Sequence, residues 1–323
     1  MPSKTELASQ REVFEAQAEH CESRSPLYAE LCRRYADDPV VGEIVGSGVT
    51  WDQPLRLLGG LHYLVLGGEA SWDDPLEAHR EFLSNFCLTQ GVQTNEVQRS
   101  WLLAPLFLRV AQRTGAEMFD LVELGPSAGL NLVWDRYRYE YEAGIWGPAG
   151  AALTLSAEEK RPVPGGLLEL APRVRKRMGI DTNPIDVTTG EGARLLKCFV
   201  WAGQTARLDR LDRAIRELRA DPPELTRGDM AEELPEVLAG RADDALTVVF
   251  ETASLGYLPD EDVARVRAAL EQAGRSGGLV FVSSGSARTN RQDWGLRITY
   301  YPGGDREFAG EADYHGAWLD WWL

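Results

Sequence analysis

"MFDLVELGPSAGLNL", residues 118–132, is the stretch on which the reading of the whole chain turns. A short apolar run from Met118 to Leu124 is ended by Gly125, and a second apolar segment runs on through Leu132 to Trp134. That is the pattern of a strand, a tight loop and a helix. The loop has two incompatible readings. Gly125-Pro126-Ser127-Ala128-Gly129 matches the G-x-S-x-G turn that thrusts a serine hydroxyl out for acyl chemistry. Alternatively the glycines bring backbone close to a nucleotide-like ligand, and the Glu123 carboxylate holds a polar group on it.

Before this stretch the pattern is helical. Residues 10–22, 26–36, 54–66, 75–89 and 95–113 carry apolar residues three or four apart, with prolines at first-turn positions, and predict an all-helical N-terminal cap over residues 1–115. "SGVTWDQP" (47–54) and "GGEASWDDP" (67–75) break these helices. After Glu117 strands and helices alternate. "MGIDTNPIDV" reads as strand and turn, residues 191–219 as helix, "ELTRGDM" as a strand ending at Gly228-Asp229, "ALTVVFET" and "GGLVFVSSG" as buried strands, and residues 260–273 as an amphipathic helix between them. "LRITYYPGGDREFAGEADYHG" predicts a hairpin turning at Gly303-Gly304. The expected fold class is therefore α/β, a Rossmann-like, mainly parallel sheet covered on both faces with antiparallel C-terminal strands, over residues 116–323. Alternating aromatic and charged residues predict a β-hairpin inserted at about residues 137–166, either a wall of the site or a structural flap.

Composition narrows the function. The 323 residues hold 50 acidic against 34 basic side chains, a formal charge of −16. Such a surface repels phosphate backbones and anionic membranes, which argues against nucleic acid and membrane partners. Cys21, Cys32, Cys87 and Cys198 are scattered without a C-x-x-C pair, no signal-peptide pattern opens the sequence, and no apolar run is long enough to span a bilayer. The expectation is a cytoplasmic protein. His20, His62 and His79 lack metal-like spacing, and no metal is predicted.

Strand order weighs the two loop readings. A serine-hydrolase elbow follows a central strand already flanked by others and needs an upstream oxyanion loop. Here the turn follows the first strand, and no H-G-G-G run precedes it. The chain order Ser127, Asp229, His315 does suit a triad. The cofactor reading collects more. Glu123-Leu124-Gly125-Pro126-Ser127-Ala128-Gly129 resembles motif I of class I S-adenosylmethionine-dependent methyltransferases, with Ser127 in place of the central glycine. Gly179-Ile180-Asp181 is similar to the end of that superfamily's second strand, where a carboxylate accepts from both ribose hydroxyls. Glu140 or Glu142 takes that role if the hairpin strand is itself the second strand. Arg227-Gly228-Asp229-Met230 resembles the third-strand signature, in which the aspartate meets the adenine amino group and the apolar neighbour packs on the ring. Neither G-x-G-x-x-G nor a P-loop occurs.

"TNEVQRS" (94–100), "LVELGPSAGLNLVWDRYRYEY", "GIDTNPIDVT", "RGDM" and "YHGAWLDWW" together resemble an uncharacterised bacterial family, a domain of unknown function, across nearly the whole chain. In that family serine is expected at the position of Ser127. The resemblance implies a methyltransferase-like fold, without an established activity.

Further candidates surround the loop. Thr94 or Asn95 is read as an N-cap, with Glu96 beside the helix dipole; alternatively Glu96, Gln98 and Arg99 line the site, Arg99 clamping a carboxylate of donor or substrate. Asn131 either caps or reaches into the site, and Trp134 is core. Glu251-Thr252 closes the fourth strand, where open α/β sheets bind ligands, and Glu251 is a candidate base. "SLGYLP" (254–259) reads as the loop over the acceptor, and His315 as a structural residue or a proton acceptor. The resulting expectation is an S-adenosylmethionine-dependent methyltransferase acting on a small molecule, with Glu96, Arg99, Glu251 and His315 as catalytic candidates. Glu123, Gly125, Ser127, Gly129, Asn131, Asp181, Asp229 and Met230 would hold the cofactor. A non-catalytic binding or scaffold protein of the same fold is the rival.

Overall fold

The structure, a computed structural model, describes residues 9–46, 49–93, 96–286 and 293–323. Helices α1 (Gln10–Cys21), α2 (Pro26–Tyr35), α3 (Pro39–Val45), α4 (Gln53–Leu66), α5 (Arg80–Thr89) and α6 (Arg99–Thr114) come first. Strands β1 (Met118–Leu124), β2 (Arg138–Tyr141), β3 (Gly144–Trp146), β4 (Thr154–Ser156), β5 (Glu158–Arg161) and β6 (Arg173–Asp181) follow. Then come α7 (Gly190–Cys198), α8 (Thr205–Arg219), β7 (Glu224–Arg227), α9 (Met230–Ala239), β8 (Leu246–Glu251) and α10 (Asp260–Gly274). The chain closes with β9 (Leu279–Ser286), β10 (Trp294–Tyr301), β11 (Asp305–Ala312) and β12 (Trp318–Trp321).

The chain divides into two compact units, residues 1–94 with 185–211, and residues 95–184 with 212–323. The first is helical. Ser9 starts α1 with a reciprocal capping box to Glu12, and Ser25 with Pro26 starts α2. Phe14, Tyr28, Leu31, Leu57, Leu58 and Leu61 are fully buried in its core. Gly59 of α4 lies against the Phe199 ring, where an added methyl would come within 3.0 Å. This unit ends before α6, whereas the sequence predicted a helical cap reaching residue 115. The reason is burial: Trp101, Leu102, Leu103, Leu106, Phe107 and Leu108 leave α6 apolar on every side, so it is a helix of the sheet's own core.

The second unit is built on a sheet in the order β5-β12-β11-β10-β9-β8-β1-β6-β7. β7, β6, β1, β8 and β9 run parallel, the pairs β9–β10, β10–β11 and β11–β12 are antiparallel, and β12 runs parallel to β5 at the edge. This is the expected α/β class, a large, mainly parallel sheet with antiparallel C-terminal strands, and the hairpin turning at Gly303-Gly304 is present. Val122, Leu124 and Val249 pack with Leu234 and Leu238 of α9 and Val266 and Leu270 of α10. On the opposite face, Phe107 of α6 meets Phe250 and Trp134 at ring distances of 5.3 and 4.9 Å. Arg109 and Arg113 of α6 both pair with Glu307 on β11.

Three local expectations are corrected. The segment after the loop is not an α-helix but a 3-10 turn, Leu130–Arg136, kinked at Val133. Two of its carbonyls, at Leu130 and Trp134, are taken by the hydroxyls of Tyr137 and Tyr139, which leads the chain straight into β2. Residues 191–219 form two helices, α7 and α8, rather than one. The helix predicted from residue 95 starts at Arg99, and the cap reading of Thr94 and Asn95 falls outside the described residues. The predicted hairpin is β2–β3, with Tyr139 opposite Trp146, and β4 adds to it in parallel. β5 leaves this small sheet to join the large one beside β12. Among the described residues no helix is long and apolar enough to cross a membrane.

Candidate functional site

Register places the ends of the central strands in one row. Glu123 stands opposite Gly179 and Leu124 opposite Glu251, while Asp181 stands opposite Arg227 and Glu251 opposite Ser283. Open α/β sheets bind ligands at this edge, beside the strand from which the order runs both ways. Here that strand is β1.

The loop after β1 is held from β6. Gly125 N–H donates to the Ile180 carbonyl at 2.9 Å, and Ser127 N–H donates to Asp181 Oδ2 at 2.8 Å. Asp181 Oδ1 accepts from Asn183 N–H at 2.8 Å, so the carboxylate fixes two backbone segments at once. Gly125 and Ser127 both have positive φ, +72° and +54°. At Gly125 a side chain would also collide: its Cβ would lie 2.6 Å from Ser254 Cβ. Ser254 begins the 3-10 turn Ser254–Tyr257 after β8, and its hydroxyl donates to the Leu124 carbonyl at 2.6 Å. Pro223 stands equally close to Gly129, at 2.7 Å from a would-be Cβ.

Glu123 is 1% exposed. Oε1 accepts from Asn131 Nδ2 at 3.5 Å, Asn131 Oδ1 accepts from Ser100 Oγ at 2.7 Å, and Oε2 finds no partner among the described residues. Burial pushes the Glu123 carboxyl up to about 8, and the nearby Asp181 charge adds to that, against the pull of Asn131 and Arg99. Asn131 thus reaches into the site rather than capping a helix. Trp134 is core, stacked on Trp146 at 4.8 Å.

A second cluster lies where α6 meets β8 and β9. Arg99 is 5% exposed, with its guanidinium carbon 4.6 Å from the ring centres of both Trp294 and Tyr314. Nε donates to the Tyr314 carbonyl at 3.2 Å and Nη1 to the Thr252 carbonyl at 3.3 Å, while Nη2 has no partner among the described residues. Glu251, 1% exposed, accepts from Ser284 N–H through Oε1 at 2.9 Å, while Oε2 has no partner among the described residues. Burial raises its carboxyl to about 7, against backbone donors at Ser284 and Leu255 and the Arg99 charge. Arg99, Glu251, Thr252, Ser284 and Trp294 line a cavity of about 10 Å³ together with apolar side chains of α6 and β9.

The sequence candidates separate accordingly. Glu96 is buried and its Oε1 accepts from Gln98 N–H at 3.1 Å, which closes the turn into α6. His315 is brought to this end by a turn on Asp313: Gly316 sits so close to Gln98 that a Cβ would lie 2.8 Å from its carbonyl oxygen. Asp229 caps α9, accepting from Ala231 N–H at 2.7 Å, and Met230 is buried beside Gly125. Asp181, not Glu140 or Glu142, ends the strand next to β1; the two glutamates are exposed on and beside β2. Trp294, Tyr314 and Ser254 complete the two clusters. No local signal marks the first two as partners of Arg99, and "SLGYLP" gave only the loop that carries Ser254.

The triad is not assembled. The Asp229 carboxylate is used as a helix cap, and Ser127 Oγ is buried without a hydrogen-bond partner among the described residues. An unsatisfied buried hydroxyl costs about 1–3 kcal/mol. Ser127→Ala is therefore expected to unfold at equal or higher denaturant than wild type, as read by urea titration; a clear loss of stability would reveal a bond to Oγ.

Two buried carboxyls and a buried guanidinium thus stand at the strand-end edge of a mainly parallel α/β sheet. The chain belongs to the bacterial family described as "Uncharacterized protein conserved in bacteria (DUF2332)", which it matches over residues 11–321. It has no match among curated proteins.

Proposed function

We propose that this protein is an S-adenosylmethionine-dependent methyltransferase acting on a small molecule in the cytoplasm, where its four free cysteines stay reduced. One observation carries the reading: Glu123, Asp181 and Gly228-Asp229 stand at or just beyond the ends of three adjacent parallel strands, β1, β6 and β7, in the order the methyl-donor site requires. The donor set suits the group. Glu123 Oε2 and Ser127 Oγ are buried polar atoms in need of a partner, and each Asp181 oxygen, already accepting one hydrogen bond, has capacity for a second. Glu123 and the loop from Gly125 to Gly129 would hold the amino-acid part, Asp181 the ribose, and Asp229 with Met230 the base.

The donor, when bound, supplies an electrophilic methyl group on sulfonium. The chain's own work is positioning, and removal of a proton where the acceptor must lose one. Glu251 suits that second task, because a carboxyl titrating at about 7 accepts a proton at Oε2 near neutral pH and releases it again. Asn131, fixed by Ser100, keeps Glu123 Oε1 engaged and leaves Oε2 for the ligand.

Calorimetry with S-adenosylhomocysteine is expected to give a micromolar Kd, weakened about tenfold or more in Asp181→Ala, roughly the worth of a hydrogen bond to a charged group. Absence of heat from either S-adenosylhomocysteine or S-adenosylmethionine, with Asp181→Ala indistinguishable from wild type, would sink the reading. The second reading, a non-catalytic scaffold, is favoured by one feature: Ser254 and Pro223 fill the space against the two loop glycines.

A further inference from the structure

We propose that the cavity between α6, β8 and β9 is a receptor for the carboxylate group of a small acid, held by Arg99 and Glu251, and that this acid is the methyl acceptor. The assignment of acceptor rests on the methyltransferase reading; the affinity for an acid does not. Two independent features carry it. Arg99 and Glu251 both line the cavity, both are more than nine-tenths buried, and each leaves one terminal atom, Nη2 and Oε2, without a hydrogen bond among the described residues. Buried polar atoms of this kind are rare and ask for a partner.

The shape of the space selects the partner. About 10 Å³ is the room of roughly one water molecule, so what enters is one oxygen of a bound group, with the rest of the ligand outside the cavity. The group has to accept from a guanidinium N–H, which excludes an amine. A carboxylate is planar, anionic and the usual counterpart of arginine. The entering oxygen also meets the Glu251 carboxyl, which donates to it when protonated, the form that burial favours; with an acid bound there Glu251 holds the acceptor instead of acting as its base. Arg99 is poised for the task. It is clamped between Trp294 and Tyr314 and anchored on the carbonyls of Tyr314 and Thr252, so little freedom is lost when a ligand binds. Leu102, Leu103, Leu106, Val282 and Leu296 make the rest of the wall mainly aliphatic.

A carboxylate reaching Arg99 could also be that of the methyl donor's own amino-acid part, and the experiment separates the two sources. Acetate, propionate and butyrate, with ethylamine and propylamine as matched cations, are titrated into the full chain at about pH 6 and followed by ligand-observed NMR. S-adenosylhomocysteine and 5′-methylthioadenosine, which lacks the amino-acid part, are titrated in parallel. At least one acid is expected to bind saturably, neither amine to do so, and Arg99→Met to weaken the acid at least about tenfold, the worth of a charge-assisted bond. Arg99→Met should leave S-adenosylhomocysteine within about threefold of wild type, which also reports that the variant is folded. Glu251→Gln, which keeps a donor at the same position, should still bind the acid. Binding of an amine in preference to the acids, absence of any saturable acid, or loss of S-adenosylhomocysteine with retention of 5′-methylthioadenosine in Arg99→Met would each overturn the assignment. Acid binding without any donor binding would leave the receptor standing and remove the methyltransferase.

Discussion

The Glu123→Gln protein is expected to be more stable than wild type at about pH 9 and nearly equal to it at about pH 4. The cause is linkage between folding and one buried proton. Unfolded, the Glu123 carboxyl ionises near its ordinary value of 4.5; folded, burial holds the proton up to about 8. Between those values the unfolded chain binds fewer protons than the native one, so stability falls as pH rises and levels off again above 8. At full slope the fall is about 1.4 kcal/mol per pH unit. Relaxation and water entry reduce what a buried group delivers, so about 2–4 kcal/mol is the expected total over the window. Glu251 adds a smaller fall in the same direction between 4.5 and about 7. Burial acts to raise Glu307 as well, but hydrogen bonds from Arg109 and Arg113 outweigh it, and its opposite contribution is lost only below the ordinary carboxylate range. It therefore does not mask the effect. Urea unfolding across pH 4–9 checks the claim. A wild-type curve parallel to that of Glu123→Gln over the whole range would mean that Glu123 is ionised in the native state.

The same buried proton bears on function. A carboxyl that is neutral at pH 7 can donate from Oε2, whereas an ionised one can only accept. Asn131 spends its other end on Ser100, so the proton balance of Glu123 answers chiefly to what approaches Oε2. A cationic ligand there would pull the proton off, and its binding would release a proton to solvent. Calorimetry in buffers of different ionisation enthalpy reads that release directly.

The legible parts of the fold are those where a single periodicity decides. β1, β8, β9 and α10 stand within two residues of their sequence limits, because an apolar run or an amphipathic stripe is cut cleanly by glycine, proline or charge. The turn after the loop was illegible for a physical reason. Leu130, Leu132, Val133 and Trp134 fit a helical stripe, but the competing acceptors are satisfied by tyrosine hydroxyls from the following residues, and spacing carries no sign of that exchange. A consequence for the site follows. With a 3-10 turn in place of an α-helix, no full helix dipole points at the loop, and the Gly125, Ser127 and Gly129 N–H groups already donate within the fold.

The site was legible where chemistry sits at a strand end. Glu123, Asp181 and Glu251 could be placed at strand ends because a turn signal stops the chain just after each, Gly125-Pro126, Asn183-Pro184 and the Ser254-Leu255-Gly256 turn. The grip on Arg99 could not, since Trp294 and Tyr314 lie far along the chain on and beyond a different hairpin, and nothing local distinguishes them from core aromatics. Ser254, read as part of a loop over the acceptor, packs on Gly125, the first glycine of the loop after β1. The distinction matters, because it gives Gly125 two different reasons to be glycine.

Gly125→Ala separates those reasons. The substitution meets a backbone at φ +72°, which costs an alanine about 1–2 kcal/mol, and a Cβ 2.6 Å from that of Ser254, an overlap worth a further 1–3 kcal/mol, so a total of about 2–5 kcal/mol is expected in urea unfolding. Ser254→Gly removes the colliding atom along with the hydroxyl bond to the Leu124 carbonyl, and alone should cost about 1 kcal/mol. In the double variant the steric part should return, leaving the backbone part, so the two changes should couple by about 1–3 kcal/mol rather than add. Additive losses would show that the Ser254 turn yields freely. The donor then discriminates the two readings of the protein. If the glycine is there for a methyl donor to lie against, S-adenosylhomocysteine binding should fall more than tenfold in Gly125→Ala and stay lost in the double variant, because the new methyl still blocks the backbone. If the glycine is there only to admit Ser254, the double variant should regain the steric part of its stability and whatever the wild type binds.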